Sequence, residues 1–234
     1  MRKVVVIIGL VFFVAVSISA QSAADRPPRT IEDLYLSQDI ELQIIRSQAL
    51  SSDREMKMLA LQSIRAMIDD GTIDRDNPGM LIVLEALATE GTMRQVRSGN
   101  TVTNNFPDVR RVAASLLGEV GGERAKVALM AVVSEDNEPM VLAEAVYGLG
   151  LIGMNDDNEV TAQIVRMLQF QNARTLPDNN LAYASLLALE KIAGATGGIR
   201  DPEVVNVLLD VAGGSYIRTV RLKAIDVIYS LRGR

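Results

Sequence analysis

The chain repeats itself. Sliding residues 107–153 forward by 32 positions lays Val109, Ala113, Ala114, Leu117, Gly118, Val120 and Gly121 on Val141, Ala145, Val146, Leu149, Gly150, Ile152 and Gly153. Apolar side chains at these intervals fall on one face of a helix with about 3.6 residues per turn, and the glycine that follows ends it. A helix that can hide only one face must lay that face against a neighbour, so a repeat of this length predicts a stack of helix pairs.

Start and stop signals extend the pattern in both directions. Thr30, followed by Glu32 and Asp33, opens a helix carrying Leu34, Ile40, Ile44 and Ile45 as far as Leu50. Asp53 caps the next, where Met56, Leu59, Ala60, Ile64 and Met67 keep the spacing until Asp69-Asp70-Gly71. Asn77-Pro78 restarts the pattern, since Asn caps and Pro tolerates the first turn. Residues 91–106 (GTMRQVRSGNTVTNNF) are polar and without period, and read as a long loop inside the second pair, functional or disordered. Helices are then expected over 107–120, 124–133, 138–152, 160–170, 181–192, 204–212 and 217–231. The first buried aliphatics of successive copies, Val109, Val141, Leu181 and Val220, are 32, 40 and 39 residues apart. Five pairs result, over 31–69, 78–120, 123–152, 158–193 and 201–231.

Composition suits close helix packing. Apolar residues make up 48% of the 234 but aromatics only 4%, so the core is built from Leu, Ile, Val and Ala. The net charge of −5 argues against nucleic acid as a partner. There is no Cys and no His, which removes disulfides, thiolate and imidazole metal ligands, Cys nucleophiles, His bases and lipid attachment through an N-terminal Cys. No Gly-rich phosphate loop, nucleophile elbow or paired acid motif is present. The expectation is a chain that is not an enzyme and holds no cofactor or metal.

Arg2 and Lys3 precede the 13 apolar residues Val4 to Val16, and SISAQSAA follows, as in a secretory signal peptide. Thirteen residues span only about 20 Å as a helix, short of the roughly 30 Å a membrane core requires. Residues 1–20 are therefore expected to be cleaved, with the cut as late as Ala24, and residues 21–30 to form a polar linker. No later stretch is apolar for long enough to cross a membrane. The mature chain is expected outside the cytoplasm, in a bacterial periplasm.

Asp108-Val109-Arg110 with Ala113, Leu117, Gly118 and Gly121, and Val220-Arg221 with Ala224, resemble the second helix of HEAT-type repeats, including the short bacterial variety once named for phycobilin lyases. The likeness covers residues 78–231, and 31–69 more loosely. The resemblance implies an all-α, right-handed α-solenoid of about five antiparallel helix pairs, with the second helices lining a concave surface. It also implies that the Arg after Val ties neighbouring repeats together, a role falling on Arg110 and Arg221. Leu142 and Ala182 depart from that position, so the middle of the stack must rely on apolar packing.

Opposite the buried stripe, the second helices present columns: Arg111, Ala143, Tyr183, Leu222; Ser115, Tyr147, Leu187, Asp226; Gly118, Gly150, Glu190, Tyr229. Tyr147, Tyr183, Leu187, Leu222 and Tyr229 are accordingly candidate anchors for a protein or peptide partner, because aromatic surface dominates many interfaces; scattered exposed apolar residues are the plainer explanation. In the loop, Arg94 and Arg97 form an island of positive charge that suits an acidic partner, or simply a solvated insertion. Asp74, Asp76, Gly79 and Glu85 match four positions of a calcium-binding loop, but Pro78 interrupts it and a helix start explains the same residues. Asp156, Asp157 and Glu159 sit in a turn where capping accounts for them. The reading is an exported interaction module or scaffold. Its rivals are a lyase-like or chromophore-handling enzyme on the same architecture and a structural subunit of an envelope assembly.

Overall fold

The structure, a computed structural model, describes residues 31–231, with side chains from residue 40 onward. The expected leader and linker lie outside the described residues. The chain divides into two units, Met1–Ser37 and Gln38–Arg234. Of the first, residues 31–37 are described and are helical.

Ten α-helices are found among the described residues: α1 (Ile31–Leu50), α2 (Arg54–Asp69), α3 (Pro78–Ala88), α4 (Pro107–Val120), α5 (Gly122–Glu135), α6 (Pro139–Ile152), α7 (Glu159–Asn172), α8 (Asn179–Thr196), α9 (Pro202–Gly213) and α10 (Arg218–Ser230). The starts follow local chemistry. Asp53, Asn77, Asp178 and Asp201 each accept a hydrogen bond from a first-turn backbone N–H, satisfying a donor that has no partner within the helix. Gly153 and Gly197 end α6 and α8 in the left-handed conformation, where a Cβ would be strained.

The helices alternate between two layers, as in an α-solenoid. In one, α2, α4, α6, α8 and α10 each pack on the next; in the other, α3, α5, α7 and α9 do the same. Val109, Val141, Leu181 and Val220, the residues that mark the copies, are all buried. Each such aliphatic, fully buried, stabilises the fold by about 1.5–3 kcal/mol.

Two kinds of contact hold the stack. A Cβ on Gly118 would lie 2.6 Å from the Gly148 Cα, and one on Gly150 would lie 2.5 Å from the Ala188 Cα. Thus α4, α6 and α8 approach backbone to backbone through small residues. Gly118 and Gly150 are buried at helix crossings, which corrects their placement on the outer face: a 3.6-residue period gives direction around a helix but not the distance to its neighbour. Leu142 and Ala182, at the positions matching Arg110, are buried and apolar.

Elsewhere, charged side chains bridge neighbours. Arg54 pairs with Asp108 and Arg65 with Glu119, joining α2 to α4, while Arg124 and Glu85 join α5 to α3. Burial alone would raise the Asp108 pKa, but the hydrogen bond and charge of Arg54 outweigh it and hold the carboxyl below its usual range. Lys223 reaches Glu190 at 2.6 Å, joining α10 to α8. Lys126, almost wholly buried, extends from α5 to Glu159 and Asp156 while also pairing with Glu123 on its own helix. Its hydrogen bonds to Glu159 and Glu123 hold the ammonium above its ordinary pKa despite burial. Asp156 and Glu159 are therefore ligands of a buried ammonium rather than capping carboxylates. Asn155 does the capping, accepting from the Thr161 N–H at 3.1 Å.

Residues 91–106 form a pinned hairpin. Strands β1 (Arg97–Ser98) and β2 (Thr101–Val102) pair antiparallel around Gly99-Asn100, and Gly99 takes the positive φ that a tight two-residue turn requires. Asn104, buried at the base, accepts from the Val96 N–H and donates to the Arg94 carbonyl at 2.8 and 2.7 Å. Gly91 permits this packing, since a Cβ there would come within 2.5 Å of the Asn104 carbonyl oxygen.

Candidate functional site

On the layer formed by α6, α8 and α10, Tyr147, Tyr183 and Leu187 line one groove of about 330 Å³, together with Ile217 and Val220 at the start of α10. Tyr183 and Leu187 are one turn apart on α8 and so face the same way. One turn further, the Lys191 ammonium lies 5.5 Å from the centre of the Tyr147 ring, a cation–π distance that ties α8 to α6 and orients the ring.

The third wall is set from a distance. Tyr216 is buried and donates its hydroxyl proton to Asn172 Oδ1 on α7 at 2.6 Å, and burial pushes its phenol pKa up to about 12. The next residue, Ile217, donates its backbone N–H to Asn179 Oδ1 at 2.9 Å. These two bonds fix the α9–α10 turn against α7 and α8, leaving the Ile217 side chain exposed at the groove. Asn179, Asn180 and Thr219 add neutral polar groups to the lining. Such a surface can bury an apolar side chain and hydrogen-bond the peptide that carries it. Among the lining residues, the ionisable groups are the phenols of Tyr147 and Tyr183.

The other candidate anchors do not join this groove. Tyr229 is 75% exposed and lines a separate recess with Glu190, Gly194 and Asp226. It follows Val220 by nine residues, which along a helix is roughly 13 Å. Leu222 is exposed on α10 but is not part of the groove lining. Arg94 belongs to the other layer, in a recess with Ile82, Met93, Arg124 and Val127 between α3 and α5. Arg97 is exposed and donates to Gln95 Oε1 on its own strand ribbon at 2.7 Å. The two arginines therefore form no common surface with the tyrosines.

The two inter-repeat arginines differ sharply. Arg110 is buried and donates through Nε and Nη2 to Asp136 at 2.6 and 3.3 Å, and through Nη1 to Asn105 and the Glu90 carbonyl at 2.7 and 3.2 Å. It joins the α3 end, the hairpin base and the α5–α6 turn. Arg221 is exposed, and no side-chain hydrogen bond or ion pair involves it among the described residues. The tie expected there is not made among the described residues.

Of the calcium-like residues, Glu85 pairs with Arg124, Gly79 lies in the first turn of α3, and no group of ligands suited to a metal occurs among the described residues. No described helix is long and apolar enough to cross a membrane. Sequence reasoning missed the buried ion pairs of Lys57 with Glu90 and of Arg110 with Asp136. Their partners lie 33 and 26 residues away, beyond any local pattern.

No family model, curated protein or solved structure matches the chain.

Proposed function

We propose that the chain is an exported interaction module or scaffold that holds an apolar side chain of a protein partner in the groove of Tyr147, Tyr183, Leu187 and Ile217. One observation carries this reading: residues from three successive helices of one layer line a single apolar groove that the fold leaves open, with an exposed tyrosine at its edge. Tyr is well suited to such a place, since it supplies large contact area at low conformational cost. The HEAT-type resemblance of residues 78–231 supports it, because stacks of this kind bind partners along one layer. The leader-like residues 1–24 support export, into the periplasm if the source is bacterial.

The test is affinity capture from the chain's own cell envelope with a Tyr147→Ser/Tyr183→Ser variant beside the parent. Partner recovered with the parent should fall at least about tenfold with the variant, while both melt at similar temperatures. Equal capture by the two would contradict the reading. A large loss of thermal stability would show that the rings are part of the core instead.

A further inference from the structure

We infer that the cleft between the α5–α6 turn and α7 is a second binding site, for an extended acidic peptide segment. With a volume of about 770 Å³, it opens where the turn residues Asp136 and Asn137 face the outer side of α7. Arg166 and Phe170 lie one turn apart on α7, Arg174 follows four residues later just past the helix end, and all three line it. Phe170 is 67% exposed, an unusual position for one of only four Phe in the chain.

The cleft carries unbalanced positive charge. Neither the Arg166 nor the Arg174 guanidinium has an ion-pair or hydrogen-bond partner among the described residues. The one carboxylate in the lining, Asp136, is buried and already bound by Arg110 at 2.6 Å, so it neutralises neither. Glu135 and Glu138 flank the turn but do not line the cleft. Two free guanidinium groups thus share a concave surface in a chain of net charge −5. A third donor is available. Gln171, itself buried, accepts the Asp178 N–H through Oε1 at 3.1 Å, and its Nε2 has no partner among the described residues. Met167 and Leu142 supply apolar lining near Phe170.

Spacing defines the ligand. From Arg166, α7 runs on to Asn172 and Ala173 continues it in the right-handed helical conformation, so Arg174, just past the helix end, lies about 12 Å from Arg166 along the axis. An extended peptide covers that distance in four residues at about 3.3 Å each. Two carboxylates four residues apart therefore reach Arg166 and Arg174 together, with an apolar side chain between them on Phe170. Guanidinium groups bind carboxylates through two parallel N–H···O bonds, which gives geometric selection as well as charge attraction.

The site is independent of the tyrosine groove, and its test keeps them apart. Fluorescence anisotropy would follow a labelled Glu-Ala-Phe-Ala-Glu peptide titrated with the full chain, with Gln-Ala-Phe-Ala-Gln as control. Saturable binding is expected, weakened by salt and weakened at least about tenfold by Arg166→Ala/Arg174→Ala or by the Gln peptide. Tyr147→Ser/Tyr183→Ser should leave it unchanged. Both arginines are exposed, so the double variant should melt like the parent. Absence of saturable binding, equal binding of the Gln peptide, unchanged binding by the arginine variant, or loss in the tyrosine variant would each overturn the proposal.

Discussion

Arg110 and Arg221 follow the same Val-Arg pattern yet differ in what removing them should cost. Arg110 is enclosed with Asp136, and truncating one partner of a buried pair leaves the other charged and desolvated. Arg110→Ala should therefore destabilise the fold by about 3–5 kcal/mol in urea titration, whereas exposed Arg221→Ala should stay within about 0.5 kcal/mol. Equal effects would show that burial does not distinguish them. The pattern marked both arginines; only the Asp136 opposite Arg110, brought there by folding, separates their roles. Tyr216 gives a second check. An unfolded phenol ionises near 10.0 and this one at about 12, so the unfolded state gives up its proton first. Stability from Tyr216 is complete below pH 10 and declines as pH rises towards 12. In a tyrosinate absorbance titration, the last fraction to ionise should vanish in Tyr216→Phe. Persistence of that fraction would assign it to another ring.

Helix contacts depend on where a glycine sits rather than on its being glycine. Gly118 meets the Gly148 backbone, so the Cβ of Gly118→Ala would push α4 from α6, at about 1–3 kcal/mol. Gly194, also within a helix, faces open space, and Gly194→Ala should instead stabilise by up to about 1 kcal/mol through helix propensity. Thermal or urea melting of the two variants should move in opposite directions; a shift of the same sign would contradict the close approach. Helix starts such as Asn77-Pro78 and Asp201-Pro202 were legible because a cap is chemistry within three residues. The hairpin was not read, although Gly99-Asn100 is a two-residue turn signal, because strands of two residues leave no alternation to detect. Its anchoring through Asn104 and Arg110 depends on contacts that the local pattern does not specify.

Across the molecule, the 32-residue self-similarity was enough to predict an all-helical stack, since each copy must hide the same face. The openings of that stack were only partly legible. Tyr147 and Tyr183 stand in neighbouring columns and come together; Tyr229 stands in a third that ends elsewhere. The cleft along α7 is assembled from the turn of one repeat and the helix of the next, and its only local sign is Arg166, Phe170 and Arg174 at helical spacing. The two layers thus carry separate surfaces, an apolar groove on α6, α8 and α10 and a cationic cleft beside α7. A photo-crosslinking side chain placed in cells at Tyr183, and in parallel at exposed Leu209 of α9, separates the two layers. A discrete protein adduct from position 183 and none of the same mass from 209 is expected. No adduct from 183, or the same adduct from both, would contradict the groove as the place where a partner is held.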